Sequence, residues 1–322
     1  MRVIMMGTGP FAVPAFQWLL SSAHDVLALV TRPAPPTRRR SQPPVSPVRE
    51  VAVQQGLAVL MPPDVNAPEC QAKLRAFSPD LLVVCDYGQI LSSESLGIAP
   101  LGGINLHGSL LPQYRGAAPV NYAIWNGDRE TGVTAIHMTP RLDAGPIVAV
   151  CPVTIGDTED AVSLEARLAK RGATCLEDAL RHLEQWDGVG PLGVQQDNAL
   201  ASRAPRLKKM DGLIDWQQPA ERIYNQVRAL KPWPGSFTFL PQSEQTSRLI
   251  LHQVAVERGG DLPVDPGVVV HVDRHQLWVA TGRNVVSLKT VQLPGKRAME
   301  VSELLQGHSI TPGTRFVNAG VD

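Results

Sequence analysis

The sequence lacks most of the features that would commit it to a special environment. It has only 4 cysteines, Cys70, Cys85, Cys151 and Cys175. None forms a close pair of the kind that binds zinc, and together they make no disulfide framework, so reduced and mostly buried thiols are expected. No apolar run is long enough to cross a bilayer. No charged leader precedes the apolar stretch that starts at Arg2. A cytoplasmic protein with no membrane partner is expected. There is also no excess of charge, with 30 Lys+Arg against 30 Asp+Glu, so the chain as a whole is not a polycation built for nucleic acid. An acidic residue is missing at one telling place. After the turn Gly7-Thr8-Gly9-Pro10, a dinucleotide site wants Asp or Glu at the end of the second strand. Thr31-Arg32-Pro33 stands there instead, which argues against nicotinamide-dinucleotide chemistry.

What is present is an ordinary globular composition, 43% hydrophobic and 19% charged, in a length that suggests about two domains. The charge is unevenly shared. Residues 1–202 carry 15 Lys+Arg against 19 Asp+Glu, and residues 203–322 carry 15 against 11. The later part is mildly basic, as a polyanionic partner would favour.

The first half alternates strands and helices. Arg2 to Met6 and Asp25 to Val30 read as strands around a helix from Ala12 to Ser21. Helices follow at Val48 to Gln55 and Asn66 to Phe77, and strands at Ala58 to Met61 and Asp80 to Cys85. This βαβ alternation predicts an α/β domain with a doubly wound, mostly parallel sheet. Between them, Pro33 to Pro47 has too much proline for helix or central strand, and Arg38, Arg39 and Arg40 sit in its middle. A helix is expected over Ala118 to Asn126. Strands are expected over Gly132 to Met138 and Ile147 to Val153, and a long helix over Asp160 to Gln185, with Thr158 as its cap. His137 lies on one of these strands and reads as structural. Trp186 to Ala201 has little periodicity and reads as a linker. After a helix from Pro219 to Leu230, five short strands separated by turns predict a small barrel. They run over Ser236 to Leu240, Arg248 to Val256, Gly267 to Val272, Gln276 to Ala280 and Asn284 to Val291.

The chemistry concentrates in Ile104 to Gly116, INLHGSLLPQYRG. If Gly103 to His107 is a strand, Asn105 and His107 point to one face. An amide that can polarise a carbonyl beside a titratable imidazole suits acyl-group chemistry. Asp143 in Leu142-Asp143-Ala144-Gly145 is the candidate third member, able to orient His107 or act through a water. Arg115 is expected to order the loop or meet a substrate.

These motifs resemble the signature of the formyltetrahydrofolate-dependent formyltransferases: Asn-x-His, Ser-Leu-Leu-Pro-x-Tyr-Arg-Gly and Leu-Asp-x-Gly. The resemblance implies a Rossmann-like formyltransferase domain over residues 1–186, a linker over 187–205 and a C-terminal OB-like β-barrel over 206–322. It implies Asn105, His107 and Asp143 as catalytic residues. It also implies 10-formyltetrahydrofolate as co-substrate, held near Gln89, Ile90, Leu91, Ser109, Leu110, Leu111 and Pro112, with no metal. Asp86 departs from the small apolar residue more usual there; a solvent-facing carboxylate is expected. Pro232-Trp-Pro-Gly235 and Pro294-Gly-Lys-Arg-Ala-Met299 resemble the branch that acts on methionyl initiator tRNA, which makes translation initiation the expected setting. In that branch an insertion at the place of Arg38 to Arg40 enters the acceptor end of the tRNA; Lys208 and Lys209 are further candidate contacts. An amino-sugar nucleotide as acceptor is the nearest alternative, and hydrolysis of formyltetrahydrofolate with water as acceptor is a second. A monomer is expected, since no strong interface signal is present.

Overall fold

The computed structural model describes residues 1–34, 46–186, 188, 190, 192–242, 245–258 and 263–317. The chain divides into two compact units. The first comprises Met1–Pro119, Glu130–Thr154 and Ser163–Pro205, the second Val120–Arg129, Ile155–Val162 and Arg206–Asp322.

In the first unit, β1 (Arg2–Gly7), β2 (Asp25–Val30), β3 (Ala58–Leu60), β4 (Leu81–Cys85) and β5 (Gly103–His107) are followed by the short β6 (Arg115–Gly116) and by β7 (Glu130–His137) and β8 (Ile147–Thr154). The main sheet has the order β3-β2-β1-β4-β5-β7-β8. Its first five strands are parallel and its last two antiparallel. The expected doubly wound, mostly parallel sheet is therefore present. Helices α1 (Val13–Ser21), α2 (Pro47–Gln54) and α3 (Pro68–Ala76) make the crossovers. β4 is buried along its whole length, as a strand covered on both faces should be. Strand order reverses between β1 and β4, and ligands of such sheets gather outside the strands' carboxyl ends. His107 ends β5 there.

The segment expected as a linker differs from that expectation. Ser163–Pro205 belongs to the first unit. Within it β9 (Arg203–Ala204) pairs in parallel with β6, and Val194 exchanges two hydrogen bonds with Ile147.

The second unit is built on β10 (Ser236–Gln242), β11 (Gln245–Glu257), β12 (Val269–Val272), β13 (Leu277–Ala280), β14 (Val285–Gln292) and β15 (Met299–Glu300). They form an antiparallel sheet in the order β10-β11-β14-β13-β12, with β15 on β14. Closure comes from a segment that the sequence reading did not single out. Val317 bridges to Phe239 on one edge and Arg315 to Val268 near the other. Trp216, Leu249, Leu251, Val279, Val286 and Leu288 lie in the core of this unit. An amphipathic helix (Ala220–Ala229) adds Ile223 and Val227 to that core.

Candidate active site

Asn105 and His107 sit two residues apart on β5, so the pleat turns both side chains to one face. Asn105 is half-buried. Its amide has no hydrogen-bond partner among the described residues. His107 is buried, with 7% of its side chain exposed. Its Nε2 lies 2.9 Å from the Tyr114 carbonyl oxygen. A carbonyl can only accept, so Nε2 is assigned the proton, and in the neutral ring Nδ1 is the basic nitrogen. That nitrogen faces Asp143 Oδ2 at 3.7 Å. The three expected residues thus come from one strand and one turn, with the imidazole and the carboxylate in ion-pair range.

Asp143 reaches this position through a tight turn. Its φ is 49°, in the left-handed region that Asp tolerates better than most residues. Gly145 explains the Leu-Asp-x-Gly pattern physically: a Cβ there would fall 1.9 Å from the His137 carbonyl oxygen. Burying a carboxylate is costly unless it is hydrogen-bonded. The Gly116 N–H donates to Asp143 Oδ2 at 2.9 Å.

The stretch read as a linker supplies a frame for these groups. Gln196 Nε2 donates to the carbonyls of Asp143 (2.9 Å) and Gly145 (2.7 Å). Its Oε1 accepts from Arg115 Nε and Nη2 at 3.0 and 2.7 Å. Arg115 Nη1 reaches Asn198 Oδ1 at 3.0 Å, so Arg115 orders the loop, one of the two roles expected of it. Ser202 Oγ accepts the Tyr114 N–H at 2.9 Å. Gln196, Asn198 and Ser202 were missed by sequence reasoning, because nothing local marks a residue whose partners lie more than 50 positions away.

The expected folate-contacting residues divide by exposure. Ser109 is fully buried; its hydroxyl donates to the Gln113 carbonyl at 2.6 Å, and its own carbonyl accepts from Thr134 Oγ1 at 2.6 Å. Leu111 is buried, with its N–H donating to Thr134 Oγ1. The Leu111–Pro112 bond is cis. Leu110 leans on Gly132, where any Cβ would meet it at 2.6 Å. Gln89 spends its side chain inside the unit, accepting from Val65 N–H and donating to the Pro62 carbonyl. Leu91 is core. Ile90, 59% exposed, is the one of Gln89, Ile90 and Leu91 that offers an apolar surface. Asn66 fixes this loop by donating to the Ile90 carbonyl and accepting from Ser92 N–H.

The glycine turn after β1 is filled by the chain itself. Thr8 N–H donates to the Asp86 carbonyl, and Thr8 Oγ1 joins Tyr87, Thr31 and Arg32 in one network. The Asp86 carboxylate lies where a Gly9 Cβ would go, 1.8 Å from Oδ2. Asp86 is exposed as a residue, but its carboxylate, expected to face solvent, is pressed against this turn and shielded from water. Shielding from water is the main cause that pushes its pKa up to about 6; Glu165 adds to the rise and Arg32 opposes it.

His137 Nε2 is committed to the Leu101 carbonyl at 3.1 Å, the structural use expected of it. Lys208 and Lys209 are exposed at the entry to the second unit. Arg38, Arg39 and Arg40 lie outside the described residues. Among the described residues, no helix is long and apolar enough to cross a membrane.

Residues 1–180 match the family model described as Formyl transferase, and residues 206–309 the one described as Formyl transferase, C-terminal domain. A methionyl-tRNA formyltransferase of Rhodopirellula baltica is 45% identical over 98% of this chain and 97% of its own. Among solved structures, an N-formyltransferase from Helicobacter canadensis, in complex with folinic acid and dTDP-3-aminofucose, aligns with a TM-score of 0.63 at 15% identity, over 89% of this chain and 99% of its own. HypX from Aquifex aeolicus in complex with tetrahydrofolic acid aligns with a TM-score of 0.58 at 16% identity, over 95% of this chain. The chain spans about half the length of that protein, 47%. At these identities the two structures speak for the fold.

Proposed function

The chain belongs to the formyl transferase family, and from that premise we propose that it moves the formyl group of 10-formyltetrahydrofolate onto the α-amino group of methionine esterified to initiator tRNA. The product is N-formylmethionyl-tRNA, used in translation initiation. The observation that carries the chemistry is the uncommitted Asn105 amide on the same strand face as His107, whose basic nitrogen looks toward Asp143. The acceptor is supported by 45% identity to the Rhodopirellula enzyme over nearly the full length of both chains; identity to sugar formyltransferases is far lower, at 15 to 17%.

The reaction is acyl transfer between two nitrogens. The lone pair of the acceptor amine forms a bond to the formyl carbon, and the carbonyl oxygen takes up negative charge. The bond from that carbon to N10 then breaks, N10 keeping the electron pair and gaining a proton as the acceptor nitrogen loses one. Asn105 donates its amide N–H to the charged oxygen, a contact of a type that contributes about 3 kcal/mol to transition-state stabilisation. His107 Nδ1 and Asp143 together move the proton. No Ser or Cys nucleophile is needed, because the acceptor brings its own amine. The apolar edge at Ile90 and the backbone of Ser109 to Pro112 support folate binding in this reading.

In the same reading residues 1–186 perform the chemistry and 206–322 hold the tRNA through Lys208 and Lys209, with Arg38, Arg39 and Arg40 of the first range as further contacts. The protein works as a cytoplasmic monomer. Purified protein given 10-formyltetrahydrofolate and charged initiator tRNA is expected to produce formylmethionyl-tRNA. Formylation of an amino-sugar nucleotide and none of tRNA would overturn the acceptor; release of formate alone would make the chain a hydrolase. Neutralising Arg38 to Arg40 is expected to raise the KM for tRNA and flatten its dependence on salt.

A further inference from the structure

We propose that Gln196 is a positioning residue for the formyl-transfer site and sets the reach of Asp143 to His107; this rests on the function proposed above. The Asp143 turn projects from between β7 and β8, and its hydrogen-bonding groups have to be satisfied if it is to keep one shape. Gln196 takes two of its carbonyls at once, Asp143 O and Gly145 O. Two donors from one planar amide to carbonyls two residues apart fix the turn in place and in orientation. The other end of the same amide accepts from two nitrogens of Arg115. Arg115 precedes Gly116, whose N–H binds the Asp143 carboxylate. Gln196 therefore holds the main chain of Asp143 directly and the donor to its side chain through Arg115.

Ser202, six residues later, does the corresponding service for His107. It accepts from Tyr114 N–H, while the Tyr114 carbonyl accepts a hydrogen bond from Nε2–H and so keeps Nδ1 turned toward Asp143. One segment, anchored by β9 against β6, thus braces both partners of the proton-handling pair from outside. Gln196 touches no reacting atom; it acts through Asp143. At 3.7 Å the pair stands just beyond direct hydrogen-bond contact, and a misplacement of about 1 Å costs on the order of 100-fold in rate.

The side chain's two ends can be tested separately. Gln196→Glu keeps an oxygen for Arg115 but cannot donate to the two carbonyls. Gln196→Ala removes both functions. Wild-type formylation of charged tRNA is measured first; if it is absent, the proposed function has failed and this inference with it. With an active wild type, both variants are expected to lose kcat by about 10- to 100-fold while the KM for formyltetrahydrofolate stays within about twofold. The deciding step is the cycle with Asp143→Asn. If Gln196 acts through Asp143, adding Gln196→Ala to Asp143→Asn costs little more than Asp143→Asn alone. Multiplying losses, or unchanged kcat in the Gln196→Glu variant, would overturn the role while leaving the proposed function intact. Thermal melting of each variant separates a lost position from a lost fold. A variant that is unfolded while its partner folds with full turnover also counts against the proposal.

Discussion

Each unit is closed by a segment with little regular structure, and the two closures differ in what their side chains do. In the first unit, residues 194–204 are anchored by backbone at Val194 and β9 and hold the site with the side chains of Gln196, Asn198 and Ser202. In the second, residues 313–317 close the sheet largely with backbone. Gly313 N–H and Phe316 N–H donate to the carbonyls of Val269 and Gly267, Thr314 O accepts from Val269 N–H, and Val317 N–H donates to Phe239 O. The Phe316 side chain adds to this by packing on Trp216, centroid to centroid at 5.8 Å. A side-chain closure encodes precise placement but leaves it exposed to single substitutions. A backbone closure tolerates most side chains and serves stability.

The comparison can be broken first at Gly145. An alanine there meets the His137 carbonyl at a distance no Cβ tolerates, so the Asp143 turn has to move. Gly145→Ala is expected to lower kcat by about 100-fold or more, read in the formylation assay. Near-normal turnover would mean that the placement of Asp143 is not limiting. The second unit should respond differently. Phe316 is 2% exposed, and Phe316→Ala is expected to cost about 3–5 kcal/mol of stability in denaturant unfolding. The folded fraction should keep its kcat, which would sharpen the contrast; a loss of kcat without a loss of stability would erase it.

The smallest effect concerns Asp86. Its carboxyl holds its proton more tightly in the folded protein than in the unfolded chain, about 6 against an ordinary 3.8. The folded state therefore binds more protons between these values, and stability falls as pH rises from about 4 to about 6. The residue is exposed, and water screens much of this. Asp86→Asn is expected to raise the melting temperature modestly at pH 7.5 and to leave it unchanged at pH 4. An equal gain at both pH values would trace the effect to packing instead of charge.

The first unit's sheet was legible in the sequence because its strands are apolar runs divided by turn residues, Leu81 to Cys85 being the clearest. Asn105 and His107 were legible because a strand's period of two places them together without further information. Asp143 needed the family pattern, since no local rule links a turn at 143 to a strand at 105. Gln196 and Ser202 were not legible at all. Their surroundings lack periodicity, and their conformation is set by partners 51 to 88 residues away. At Gln89 and Leu91 the resemblance points to a loop whose side chains the structure turns inward, a detail no sequence pattern carries. The closure of the second unit by 315–317 was invisible for a related reason, because backbone bonds leave little trace in side-chain pattern.

The most direct test measures turnover and folate affinity together in Asn105→Ala, His107→Ala and Asp143→Ala. If an amide, an imidazole and a carboxylate act on the formyl group in transit, each variant should lose about 100-fold or more in kcat and bind formyltetrahydrofolate within a few-fold of wild type by calorimetry. Turnover close to wild type in any one of them would contradict the account for that residue, and a loss confined to folate affinity in all three would contradict it entirely.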